Sequence, residues 1–382
     1  MSASIFLAGP TPRSADTPSW RPEALRLLEA RGFDGVVFVP EFKDGFWRGN
    51  YDDQVGWEEE ALNQADCVLF WVPRNLDTMP AFTTNDEWGW WKGSGKVVFG
   101  APENAEKIRY QQWWAEHLAV PHATTLEATI DHALSMIGQR QPGDLREGAE
   151  TQIPLVVWRK PELQRWIQTQ RKAGNSLRKA RLLWTHRVGP QRDIVFFWAL
   201  HVVVYVAAED RLKKNEILVG RADMSATVLY NKGATLHGTE VVLVREFRSP
   251  ASTPDAFVHE LPGGSSWKGG DPREVAIEEV REETGTSIVD APLRWREVAS
   301  RPLAATFSVH HGHVFACELS TDEINVLRSK IGVVQGAPDD SERTWIEIRT
   351  VGDLLAKRDV DWSTLGMILS ALVGAGGPFE AG

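Results

Sequence analysis

Two cysteines in 382 residues, Cys67 and Cys317, are too few for a disulfide framework or a four-cysteine zinc site. Each sits in an apolar run, so a buried free thiol is expected. No apolar run approaches the roughly 20 residues that span a bilayer. The opening stretch 1–13 has no basic start, and its short apolar segment is broken at Gly9 and Pro10, so it does not read as a secretory signal. The expectation is a cytoplasmic chain with no membrane partner. Basic charge is also short: 42 Lys and Arg stand against 52 Asp and Glu, a net charge of -10. That balance argues against a surface that tracks nucleic acid throughout, yet it leaves room for a local site for a phosphate ester. Tryptophan is in excess, with 17 residues, and this side chain both fills cores and stacks on nucleobases. A chain of this length with 42% hydrophobic and 25% charged residues suits two ordinary globular domains.

The first part alternates short apolar runs with helical patterns. Residues 4–9, 35–40, 67–72 and 96–102 read as strands, rich in Val and Phe and closed by Gly or Pro. Helical spacing appears over 21–31 and 57–65. Continuous apolar strands between helices predict a parallel sheet covered on both faces, an α/β domain over 1–137. Residues 138–154 lose apolar periodicity and read as a linker. The stretch 159–192 carries ten basic residues and one acidic one, with Leu163, Trp166 and Ile167 at helical spacing. It is either a solvated basic face or a surface facing phosphate or a partner. A basic connecting segment over 155–209 is expected to pack on the second domain, which then occupies 210–382. There the strands 194–206, 226–230, 239–247 and 313–319 are interrupted by one charged helix over 273–284, and a helix over 362–373 closes the chain. This predicts an α+β domain of mixed strands.

In the charged helix, Asp271 and Pro272 signal a start and Gly285 a stop. Glu279, Glu282 and Glu283 stand at i, i+3 and i+4, which puts three carboxylates on one helical surface. Their repulsion would be relieved by a hard divalent cation, Mg2+ or Mn2+. The segment from Leu261 to Gly285 resembles the Nudix box. Gly264, Glu279, Val280, Glu282, Glu283 and Gly285 match its pattern, while Gly270, Glu278 and Thr286 depart from it. The flanking stretches 241–250 and 259–264 resemble the ADP-ribose pyrophosphatase branch. The resemblance implies a Nudix fold with mixed sheets and Mg2+-dependent hydrolysis of a nucleoside diphosphate derivative such as ADP-ribose. It implies metal ligands Glu279, Glu282 and Glu283, catalytic roles for Glu282 and Glu342, and nucleotide contacts from Arg248 and Gly264. His310, His311 and His313 read as surface residues.

In the first domain, Gly9 ends a strand where a ligand can approach the backbone. With it stand Tyr51 to Gln54, Asp66 at a strand start, and the run from Pro80 to Gly89. Together these resemble the nucleoside 2-deoxyribosyltransferase-like family, over about 3–135. The resemblance implies a flavodoxin-like sheet and a nucleoside or nucleotide substrate. It implies that Glu87, in Glu87-Trp88-Gly89, attacks or supports attack at the anomeric carbon, with Asp86 its rival. Asp66 would handle the base proton. The family often has a tyrosine in the first strand, where this chain has Ile5 and Phe6; Tyr51 could supply the hydroxyl, and Trp88 is among the tryptophans able to stack on a base. A carboxylate suits this chemistry because breaking an N-glycosidic bond develops positive charge at the sugar carbon.

The combined expectation is a bifunctional nucleotide-processing enzyme. Two alternatives stay open: one active domain regulated by a nucleotide-binding Nudix-like module, or a non-enzymatic protein that binds nucleotides or, through 159–192, nucleic acid. A homo-oligomer is also open, since deoxyribosyltransferase-like domains commonly assemble.

Overall fold

Apolar runs bounded by glycine and proline form strands buried on both faces. The computed structural model describes residues 3–14, 16–42, 49–189, 192–265, 270–286, 294–336 and 343–380. Among these, β1 (Ser4–Ala8), β2 (Val36–Phe38), β3 (Cys67–Trp71), β4 (Val97–Gly100) and β5 (His122–Ala123) form one parallel sheet in the order 2-1-3-4-5. This is the strand order of flavodoxin-like sheets, which bind ligands beyond the carboxyl ends of their strands. The connecting helices are α1 (Arg21–Ala30), α2 (Tyr51–Gln64), α3 (Phe82–Trp91), α4 (Arg109–His117) and α5 (Leu126–Ile137). Phe6, Val68, Phe70 and Phe99 share a core with Leu62 of α2, Trp88 and Trp91 of α3, and Ala115 of α4. Ile5, Leu7, Leu69 and Val98 alternate with them, are fully buried, and turn to the face covered by α5. Burying each such side chain contributes about 1.5–3 kcal/mol.

Helix α2 begins six residues earlier than the apolar spacing suggests, at Tyr51 rather than Trp57. The Asn50 side chain caps it by accepting from the Asp52 N–H at 3.3 Å, and Asp52 and Asp53 complement the positive end of the helix dipole. The expected linker is a packed segment. Arg146 is fully buried and grips Asp66, while Asp144 pairs with Arg159 at 2.7 Å. Hydropathy patterns do not register polar anchors of this kind.

Helices α6 (Leu155–Trp158) and α7 (Pro161–Lys172) precede an antiparallel sheet of β6 (Ser176–Val188), β7 (Ile194–Val206) and β8 (Arg211–Arg221). The chain falls into two compact units, Met1–Arg221 and Ala222–Gly382. The basic stretch 155–209 lies in the first unit. There the Asn63 amide donates to the Ala180 carbonyl at 3.0 Å, and the Thr185 hydroxyl donates to the Ser94 carbonyl at 2.9 Å.

The second unit carries β9 (Met224–Asn231), β10 (Glu240–Phe247), β11 (Phe257–Glu260), β12 (Gly263–Gly264), α8 (Pro272–Thr284), β13 (Arg296–Pro302), β14 (His311–Glu318), α9 (Thr321–Arg328), β15 (Val334–Gln335), β16 (Thr344–Thr350), α10 (Val351–Lys357) and α11 (Trp362–Val373). The order is β13-β14-β9-β10-β16-β15, with β11 on β10 and β12 on β9, and only β14 with β9 runs parallel. Ala276 and Val280 of α8 pack on Leu229, Val242 and Phe315. Ile368 and Leu372 of α11 pack on Val228, Val241 and Val314. Cys67 and Cys317 are free and buried. No helix among the described residues is long and apolar enough to cross a membrane.

Candidate active site

The carboxyl end of β1 opens into a cleft of 390 Å³ lined by α1, α2, the start of α3 and the loops before them. Gly9 has φ +153°, and a Cβ there would stand 2.1 Å from the Trp71 carbonyl oxygen, so the turn requires glycine. At the first position of α1, Arg21 is 2% exposed and fixes this floor. Its guanidinium donates to the Gly9 carbonyl at 2.7 Å, the Leu7 carbonyl at 3.3 Å, the Thr11 hydroxyl at 3.2 Å and the Glu41 carboxylate at 3.1 Å.

Two helices supply acids. Tyr51, Gln54 and Glu58 stand at i, i+3 and i+7, so α2 presents them on one face. Thr83, Thr84 and Glu87 are the matching face of α3. Asn85 on α3 is held by the Arg74 guanidinium and the Gln111 amide, which fixes the helix against its neighbours. Ala81, the N-cap of α3, sits at φ +62° in the left-handed region, which is uncommon for a residue with a side chain.

The electrostatics of the cleft are strained. Burial pushes the Glu87 carboxyl up to about 8, reinforced by the Glu58 and Asp86 carboxylates and opposed by Arg21. Burial also raises Glu58, against the hydrogen bond from the Gln54 amide at 2.8 Å and the charge of Arg21. Arg21 is itself lowered by burial and held up by Glu41, Glu87 and Glu58. One buried cation thus faces several acids, and burial pushes Glu87 and Glu58 toward the neutral form.

Sequence reasoning finds Gly9, Tyr51 and Glu87, and the structure brings all three to this cleft. It misses Arg21, Glu41 and Glu58. The Tyr51, Gln54, Glu58 spacing would have shown Glu58 had the helix start been placed at Tyr51. Three expected residues lie elsewhere. Asp86 is exposed on α3 and acts on Glu87 only through its charge. Trp88 is a core residue, its ring 5.3 Å from that of Phe70 and 4.9 Å from that of Phe99, so it is no platform for a base. Asp66 sits at the opposite end of the sheet, level with Ser4 and so about 16 Å from Gly9 along β1. There it accepts two hydrogen bonds from Arg146 at 2.7 Å, one from the Ser4 N–H at 2.8 Å and one from the Leu155 N–H at 2.7 Å. Those bonds make Asp66 a structural anchor, which corrects its expected role beside Glu87.

In the second unit the charged helix divides its carboxylates. Glu279 packs against Gly264, where a Cβ would stand 2.2 Å from its oxygen. Glu283 is buried and accepts from the Gly263 N–H at 2.8 Å. Burial pushes Glu283 well up, and Glu279, Glu260 and Glu246 add to the shift. Glu282 stays exposed, because i+3 turns it off the line from 279 to 283. Arg248 pairs with Glu246 at 2.8 Å. Glu342 lies outside the described residues. The donors are hard oxygens suited to Mg2+ or Mn2+, but no three His, Cys, Asp or Glu among the described residues are placed to hold a metal ion.

No curated protein matches the chain in sequence. Residues 2–105, which carry Gly9, Arg21, Glu41, Glu58 and Glu87, match the family model described as nucleoside 2-deoxyribosyltransferase like.

Proposed function

We propose that the cleft at the end of β1 cleaves or exchanges the N-glycosidic bond of a nucleoside or nucleotide. The observation that carries this reading is the placement of two half-buried acids, Glu87 and Glu58, in one cleft with the buried Arg21. The family likeness of residues 2–105 supports it. In its ionised form Glu87 approaches the sugar C1′ and captures or shields the positive charge that grows as the C1′–N bond breaks. Glu58, the second acid of the cleft, donates the proton that the leaving base nitrogen takes. Water or a second base then attacks C1′, gives its proton to Glu58 and frees Glu87. Water as the acceptor gives hydrolysis, and a base gives transfer. Ile5 and Phe6 are fully buried in β1, so the only tyrosine hydroxyl lining the cleft among the described residues is that of Tyr51 at its rim.

The test is chromatographic detection of free base after incubating the full chain with 2′-deoxynucleosides and their 5′-monophosphates. Glu87→Gln and Glu58→Gln are each expected to slow release by about 10²–10⁴-fold. Undiminished release by Glu87→Gln, or no release from any substrate by the wild type, overturns the reading.

A further inference from the structure

A second cavity in the first unit, of 320 Å³, lies at the amino end of β4, away from Glu87. It is walled by Gly93 and Gly95, by the loop that leaves α4, and by the end of β6. Among the described residues its lining includes Lys92, His186, Arg187 and Arg192 and no Asp or Glu. The chain as a whole has more acidic than basic side chains, so this concentration runs against its composition.

The cations are held without being neutralised. Lys92 donates to the Gly89 carbonyl at 2.7 Å and lies 5.2 Å from the Trp114 ring centroid. Arg187 donates to the Gly95 carbonyl and, at 3.5 Å, to the Asp193 carbonyl, while its Nε is buried without a hydrogen-bond partner. Arg192 donates to the His117 carbonyl at 3.4 Å. Their hydrogen-bond acceptors are all neutral backbone oxygens, and none of the three cations is in an ion pair among the described residues. The Asp193 carboxylate acts on Arg187 only through its charge, and burial still holds that guanidinium below its ordinary value. Like charges gathered around a cavity repel one another until an anion enters.

We infer that this cavity binds the phosphate group of a small phosphate ester. Arginine forks suit phosphate oxygens, and a lysine adds a point charge. Gly93 leaves the backbone open to close approach. Gly95 is required for a different reason: at φ +76° its Cβ would stand 2.5 Å from the Arg187 Nε and displace it. Arg192 also ties the cavity to His117, whose ring stacks on the half-exposed Trp113 at 4.8 Å. The inference stands apart from the reading of the Glu87 cleft, with which it shares no lining residue.

Calorimetric titration of the full chain with inorganic pyrophosphate, in metal-free buffer, tests it. One site with a dissociation constant below about 1 mM is expected, a modest affinity for a few charge-assisted bonds. Lys92→Ala combined with Arg192→Ala is expected to weaken binding by about tenfold or more, with an unchanged melting temperature. Arg192→Ala alone is expected to weaken it less and serves if the double variant fails to fold. No measurable heat at 10 mM pyrophosphate (about 10 times the expected constant), or an affinity untouched by Arg192→Ala, overturns the inference.

Discussion

The two ends of the parallel sheet treat their carboxyl groups in opposite ways. At the amino end, Asp66 has each oxygen bonded: to both terminal nitrogens of Arg146, to Ser4 and to the Leu155 N–H. Beside it, fully buried Lys96 donates to the carbonyls of Leu62, Asn63 and Ala65 at 2.7–2.9 Å and so closes the end of α2. At the carboxyl end, Arg21 spends most of its donors on backbone carbonyls, and Glu87 and Glu58 are pushed toward the neutral form by burial. A buried charge with matched partners holds structure. A buried acid shifted by burial and a like-charged neighbour is poised to move a proton or meet a developing charge.

Substitutions at the two ends should therefore fail differently. Arg146→Ala strands the Asp66 carboxylate and is expected to cost about 3–5 kcal/mol in denaturant unfolding. Glu87→Gln should do the reverse. The Glu87 carboxyl titrates near 8 in the folded chain, above its ordinary 4.5. Its favourable contribution is therefore full below pH 4.5 and lost as pH rises through 8. At pH 9 the Gln variant is expected to be more stable than wild type by roughly 2 kcal/mol, and at pH 4 to match it. Gly9→Ala forces a methyl against the Trp71 carbonyl and should cost about 1–3 kcal/mol together with cleft activity. Asn50→Ala removes the cap of α2 and should cost about 1 kcal/mol without changing the pH dependence of the reaction. Equal stability losses from Arg146→Ala and Glu87→Gln at pH 9 would erase the contrast.

The fold was legible wherever burial follows a simple period. The runs at 67–72 and 96–102 became β3 and β4, and the capped helix from Asp271 to Gly285 formed with its ends as read. What the sequence could not show was polar anchoring over long separations. Arg146 reaches Asp66 across 80 positions, so a segment without apolar rhythm looked like a linker and an anchor looked like a catalyst. The cleft was half legible. Glu87 stood out by its neighbours in sequence, whereas Arg21 and Glu58 join it only through the fold. On α8, counting by helical spacing places three glutamates together, but β12 meets Glu279 and Glu283 and leaves Glu282 in solvent.

The most direct measurement is the pH dependence of kcat/KM for base release by the full chain, which reports the groups of the free enzyme. The mechanism needs one acid of the pair ionised and the other protonated, so kcat/KM passes through a maximum with pH, and Glu87→Gln and Glu58→Gln each remove one limb. A profile with a single limb, or two limbs that persist in either variant, would contradict this assignment.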